Sequence, residues 1–258
     1  MTAHKPGDPT TINRLYGRAK GKPLRAGQQA LVDTLLPRIE VPRDGPVTAE
    51  RLFGDPRPLH FEIGFGGGEH MAFRADLLPD HGFIGAEPFL NGVAQALVHV
   101  EGDHGRNVAL GNVRIHHGDA LEVLARIPDG ALSFVYLLHP DPWPKARHAK
   151  RRMINDRPLA LIASKLKPGG EFRFGTDHPV YLRHALMVMQ RHVDQFEWLA
   201  EGPVNWQNRP GGWPATRYEA KARTLGHEVW YFRFRRRWVL RQFLERQMAD
   251  EHKARTWR

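Results

Sequence analysis

The chain has 258 residues, 41% hydrophobic and 26% charged, which supports one large α/β domain, and no apolar run approaches the roughly 18 residues of a bilayer crossing. Cysteine is absent, which excludes disulfides and thiolate metal sites. The formal net charge is +10, concentrated toward both chain ends, so the expected partner is a polyanion.

Residues 1–23 are polar and rich in Pro, Gly and basic side chains, and they read as a flexible basic arm. They carry no apolar core of a secretory leader, which together with the missing cysteine points to a cytoplasmic protein. Leu31, Leu35 and Leu36 have helical spacing, predicting a helix over 26–39 that Pro37 stops. A strand then runs into the glycine cluster of "PLHFEIGFGGGEH". From there helices and strands alternate: helix 70–79, strand 82–88, helix 89–102, strand 113–119, helix 120–128, a buried strand that runs into a loop over 131–143, a helix from 157 ended by Pro168, Gly169 and Gly170, and strand 171–177. Residues 201–219 read as a loop rich in Gly, Pro and Trp, followed by a last strand, "HEVWYFRFRR", and a basic helical extension over 235–258. The alternation predicts a doubly wound, mostly parallel α/β sheet in one domain, 24–234, with an antiparallel last strand. Such sheets bind ligands beyond the carboxyl ends of their strands.

Gly64, Gly66, Gly67 and Gly68 follow the first strand and precede a helix, where a backbone without Cβ atoms turns tightly and lies close to a ligand. Glu87 ends the next strand, placed to accept hydrogen bonds from both hydroxyls of an adenosine ribose. This layout fits either a nicotinamide dinucleotide or S-adenosylmethionine, and three details favour the methyl donor. The spacing is G-x-G-G-G, with His70 nearest the place of a dinucleotide's third glycine. Glu62, two residues before the turn, would meet an ammonium and repel a pyrophosphate. Asp119 ends the third strand, in reach of an exocyclic adenine amine.

"HPDPW" ends the fourth strand, where an acceptor pocket belongs. Pro140 and Pro142 hold the Asp141 carboxylate in one direction, and Trp143 offers a stacking face. Lys145, Arg147, His148, Lys150, Arg151 and Arg152 follow with no acid before Asp156, a run suited to a phosphate backbone.

The chain resembles the tRNA (guanine-N7-)-methyltransferase family. The stretches that carry the resemblance are "FEIGFGGGEH", "FIGAEP", "HPDPWPKARHAKRR", "FRFGTDH", and "TRYEAK" followed by "LGHEVW", together covering about residues 59–234. The resemblance implies a class I, Rossmann-like methyltransferase fold, and methylation at N7 of the variable-loop guanine of tRNA, position 46 in the usual count. It implies that Glu62, Glu87 and Asp119 are S-adenosylmethionine ligands and that Asp141 is the active-site acid. Lys145, Asp177, Thr216, Arg217, Tyr218 and Glu219 take substrate-binding positions by the same likeness, and 147–152 the RNA contact segment. His139 departs from the pattern, since the family usually has Phe there.

The chemistry agrees. Guanine N7 carries an available lone pair, so methylation needs positioning and charge stabilisation more than a strong base. An ionised Asp141 is suited to accept from the amino and imino edge of a flipped guanine, with Tyr218 or Trp143 stacking on the base. No metal is expected, because adjacent His116 and His117 point to opposite faces of a strand. Nothing in the chain requires a protein partner. A non-catalytic RNA-binding module would account for the charge but leave the glycine turn, Glu62 and Glu87 without purpose. A methyltransferase acting on another nucleic-acid base would share the proline-bracketed strand end, but the basic run and T-x-YE favour folded RNA.

Overall fold

The computed structural model describes residues 21–102 and 109–238. The basic arm, up to residue 20, and nearly all of the C-terminal extension expected over 235–258 lie outside the described residues.

Helices α1 (Ala26–Thr34), α2 (Leu36–Ile39) and α3 (Ala49–Phe53) lead into β1 (Leu59–Ile63). Then come α4 (Glu69–Leu77), β2 (Gly82–Ala86), α5 (Leu90–Glu101), β3 (Val113–His116), α6 (Ala120–Arg126) and β4 (Leu132–Leu138). A short 3-10 helix, Ala146–Arg151, precedes α7 (Asp156–Lys165), β5 (Leu166–Thr176), α8 (Pro179–Gln190) and β6 (Phe196–Trp198). The last described elements are α9 (Val204–Gln207), α10 (Arg217–Thr224) and β7 (Trp230–Arg236).

The seven strands form one sheet in the order β3-β2-β1-β4-β5-β7-β6. Strands β1 to β5 are parallel, and β7 runs antiparallel to both β5 and β6. Both faces are covered, so the central strands read as continuous apolar runs; all five residues of β1 and of β2 are buried. One apolar core joins the sheet to α6, α7 and α8, and another joins it to α2, α4 and α5. The chain reverses direction across the sheet between β1 and β4, and the crevice of a doubly wound sheet lies at that point.

Several elements differ from the expectations. The helix expected over 26–39 is two helices, and Pro37 sits in the first turn of the second, where its missing N–H costs nothing. The helix expected to be ended by Pro168, Gly169 and Gly170 already ends at Lys165. Leu166 already pairs with Leu132, an irregularity in register follows, and the ladder resumes at Glu171 opposite Phe134. Helix α8 and strand β6 were not among the predicted elements, and α9 and the first turn of α10 occupy part of the expected loop. Helix α8 buries Tyr181, Ala185, Val188 and Met189, one helical face turned to the sheet.

Candidate active site

The glycine turn leaves β1 with Gly64, Gly66 and Gly68 in the left-handed region, at φ 66°, 58° and 79°. Gly68 caps α4, and a Cβ there would lie 2.5 Å from that of Ala96 on α5. Glu87 ties the turn to the end of β2, with one carboxylate oxygen accepting from the Gly66 N–H and the other from the Phe89 N–H, both at 2.9 Å. Burial raises the Glu87 pKa, and the two backbone bonds oppose that shift. Each oxygen keeps a further lone pair, so a ribose hydroxyl can still be accommodated.

Gly64, Gly66, Glu87 and Asp119 line a cavity of about 940 Å³ that continues to Asp141, Trp143, Lys150, Arg151, Arg152 and Tyr218. Asp119 also caps α6, accepting from the Leu121 N–H at 2.9 Å. Glu62 and Gly68 do not line this cavity. Glu62 is 5% exposed and accepts a 2.7 Å hydrogen bond from His70 Nδ1.

At the end of β4, two non-glycine residues in the left-handed region bracket the acceptor turn: His139 at φ 51° and Trp143 at φ 42°. Such backbone costs about 1–3 kcal/mol per residue and persists only where the surroundings hold it. His139 is held by its N–H, which donates to the Gly175 carbonyl at 2.8 Å. Its ring stacks on Tyr218 at 6.5 Å, with Nδ1 3.6 Å from Asp177. Burial lowers the His139 pKa, and Asp177 pulls it back up. Asp177 lies 3.4 Å from His227 Nδ1 on its other side. Between the two brackets, Asp141 is exposed and makes no hydrogen bond or ion pair among the described residues, and its partly desolvated surroundings raise its pKa.

The basic run does not face one way. Lys145, Arg147 and Lys150 are exposed, and His148 is half-buried with its ring edge-on to Trp143 at 5.8 Å. The Arg151 guanidinium lies over the Trp143 ring at 4.9 Å. Arg152 points inward and is 6% exposed.

Thr216, Arg217, Tyr218 and Glu219 build the start of α10. Thr216 caps it, accepting from the Glu219 N–H at 3.2 Å, and the buried Glu219 carboxylate accepts from Arg223 at 3.0 Å and Arg209 at 3.4 Å. With those two residues engaged in the helix start, it is Tyr218, 44% exposed, that reaches the cavity wall. Arg217 pairs with Glu69 on α4 at 3.2 Å, fastening α10 across the glycine turn. Glu69, Arg209, His227 and the cavity residue Asn155 are not among the site residues expected from the sequence. Asn155 carries a readable signal, a cap-type residue just before a helix, which it does start. Among the described residues no group of three His, Asp or Glu side chains converges to hold a metal.

A family model described as putative methyltransferase matches residues 56–232. The chain is 84% identical to the tRNA (guanine-N(7)-)-methyltransferase of Sphingopyxis alaskensis, over 92% of this chain and all of that one. It is 80% identical to the protein of the same name from Novosphingobium aromaticivorans and 58% identical to that from Zymomonas mobilis, with the same coverage. Among solved structures, the 16S rRNA methyltransferase KamB superposes with a TM-score of 0.50 at 12% identity, covering 73% of this chain and 92% of that one, a likeness of fold.

Proposed function

The chain belongs to the tRNA (guanine-N(7)-)-methyltransferase family, and from that premise we propose which guanine it modifies and how its residues divide the work. It is an enzyme that transfers a methyl group from S-adenosylmethionine to N7 of a guanine in tRNA. The guanine we assign is that of the variable loop, position 46 in the usual tRNA count.

The residues of the cavity fit the methyl donor. A Cβ on Gly64 would meet nothing within 4 Å, so the floor in front of the turn is open, and Glu87 keeps lone pairs directed from a fixed carboxylate. Gly64, Gly66, Glu87 and Asp119 would hold the donor, with Glu62 and Gly68 shaping the turn from behind. Bound there, S-adenosylmethionine supplies an electrophilic methyl group on a sulfonium.

The observation that carries the assignment of roles is Asp141, an exposed carboxylate without a hydrogen-bond partner among the described residues, in the same cavity as the glycine turn. Ionised, it accepts from the imino and amino groups of the guanine edge, orients the base and stabilises the positive charge that grows on the purine. Tyr218 lines the base-binding side of the cavity. Lys145, Arg147 and Lys150 contact tRNA phosphates, with His148 and Arg151 holding Trp143 beside them. Asp177 and the capped start of α10, Thr216 to Glu219, support the acceptor side.

Incubation with bulk tRNA and methyl-labelled S-adenosylmethionine, followed by mapping of the modified base, tests the reading. Label at N7 of the variable-loop guanine is the expected result. Label at another position overturns the assignment of position 46, and full turnover by Asp141→Asn overturns the role of Asp141.

A further inference from the structure

Arg152 closes the basic run of the sequence, yet it is the one cation of that run that the fold buries. Its Nε–H donates to the Pro142 carbonyl at 3.0 Å, and Nη2 donates to the Trp143 carbonyl at 2.9 Å. Those carbonyls belong to the two residues that follow Asp141, and Trp143 is the left-handed residue that closes the turn. The rest of Arg152 is itself tethered. Its backbone N–H donates to the Ala149 carbonyl at 3.1 Å, and Asn155 Nδ2 donates to the carbonyls of Arg152, at 2.6 Å, and Ala149, at 3.1 Å.

We propose that Arg152 is a positioning residue for methyl transfer, holding from inside the fold the turn that presents Asp141 to the guanine. This rests on the role of Asp141 given above. A guanidinium taken out of water needs its donors satisfied, and here two are aimed at neighbouring carbonyls of one turn rather than at a carboxylate. The planar fork fixes both carbonyls at once, which defines the twist of the peptide between them; a lysine ammonium, a single point of charge, cannot hold both with the same geometry. The strained turn therefore has an outside reason to stay in place. Lys150, by contrast, is exposed, as a phosphate contact is expected to be.

The test compares Arg152→Lys, Arg152→Met and Lys150→Ala in the full chain, measuring kcat and KM for tRNA at saturating S-adenosylmethionine, cofactor affinity, melting temperature and the salt dependence of tRNA binding. For Arg152→Met the expected result is a kcat lowered about 100-fold, of the size seen when a transition-state donor is displaced, with tRNA affinity, its salt slope and cofactor affinity within about twofold of wild type. Arg152→Lys should recover part of that loss. Lys150→Ala should differ in kind, raising KM for tRNA and lowering the salt slope by about one. If Arg152→Met fails to fold, Arg152→Lys carries the test: a folded lysine variant with wild-type kcat overturns the proposal. So does a salt slope reduced by about one with kcat retained in either variant, because that is a phosphate contact. Full turnover by Asp141→Asn instead overturns the Asp141 reading on which the proposal stands, and the two failures are therefore told apart.

Discussion

The ring of Tyr218 lies directly over Gly66: a Cβ placed on Gly66 would come 2.9 Å from Tyr218 Cε2 and 3.2 Å from its hydroxyl oxygen. One residue belongs to the turn after β1 and the other to the start of α10, about 150 residues later in the chain. Their contact brings the acceptor side of the cavity onto the donor side. Gly66 is thus held to glycine twice, by a φ of 58° and by the ring above it.

Gly66→Ala should therefore raise the Kd for S-adenosylmethionine at least tenfold. The left-handed backbone alone costs an L-residue about 1–2 kcal/mol, and the tyrosine must move besides. Removing the ring separates the two effects. Adding Gly66→Ala to Tyr218→Ala should cost less cofactor affinity than adding it to wild type, as contacting residues do in a double-mutant cycle. Titration calorimetry on the four proteins checks this, and strict additivity would show that the ring is not in the way.

Glu87→Gln should weaken cofactor binding by about 10- to 100-fold. The carboxylate accepts two backbone N–H bonds at once, and an amide must turn its NH2 toward one of those donors. Losing a hydrogen bond to a charged group costs about 1.5–3 kcal/mol. The burial that raises the Glu87 pKa also fixes the sign of its pH dependence: the folded protein binds the proton more readily than the unfolded chain, so this group's contribution to stability is lost as pH rises through its folded pKa. Cofactor binding moves in the opposite direction, since it needs the ionised acceptor. Wild-type affinity in the Glu87→Gln variant at neutral pH would end the assignment.

Much of this site is legible in the chain because strand ends carry it. Gly64, Glu87, Asp119, Asp141 and Asp177 each follow a recognisable apolar run, and a doubly wound sheet gathers such positions at one edge. What the chain does not display is direction. Lys150, Arg151 and Arg152 are three adjacent cations, and only the 3-10 turn before α7 decides that the first faces water, the second a tryptophan and the third the interior. Thr216 to Glu219 matches both a family motif and a helix cap, because the Thr216 hydroxyl accepts from the Glu219 N–H whatever else the motif does. Strand β6 has three residues, too few for an alternating pattern to register.

Asp141 should impose the acid limb of the pH profile. Partial burial raises its pKa above the ordinary 3.8, and the group must be ionised to accept from the guanine edge. Activity therefore rises with pH through that raised value, and kcat/KM for tRNA should show a midpoint above 3.8. Asp141→Asn should lower turnover about 100-fold or more across the range, with cofactor affinity unchanged within about twofold. A limb centred at or below the ordinary aspartate value would mean that another group controls the profile.

His60 predicts how the fold itself responds to acid. It is 1% exposed, packed between Phe83 and Phe134, with Nδ1 3.0 Å from the Tyr136 hydroxyl and Nε2 2.8 Å from His81 Nδ1. Burial, reinforced by the charges of His81, Arg74 and Arg173, drives its pKa down to about 2. The sign follows from that depression. Below pH 6.5 the unfolded chain takes up a proton that the folded protein refuses, so stability falls as pH drops. The limiting slope is about 1.4 kcal/mol per pH unit for this one group. His60→Gln removes the titration while keeping a polar side chain opposite Tyr136. It should be less stable than wild type at pH 7.5, yet lose less stability between pH 6.5 and pH 5. His116 and His184 have their pKa values lowered by burial as well, and they remain in both proteins, so the difference between the two denaturation series reports His60 together with its hydrogen-bond partner His81. Parallel series would show that its proton is not what the fold excludes.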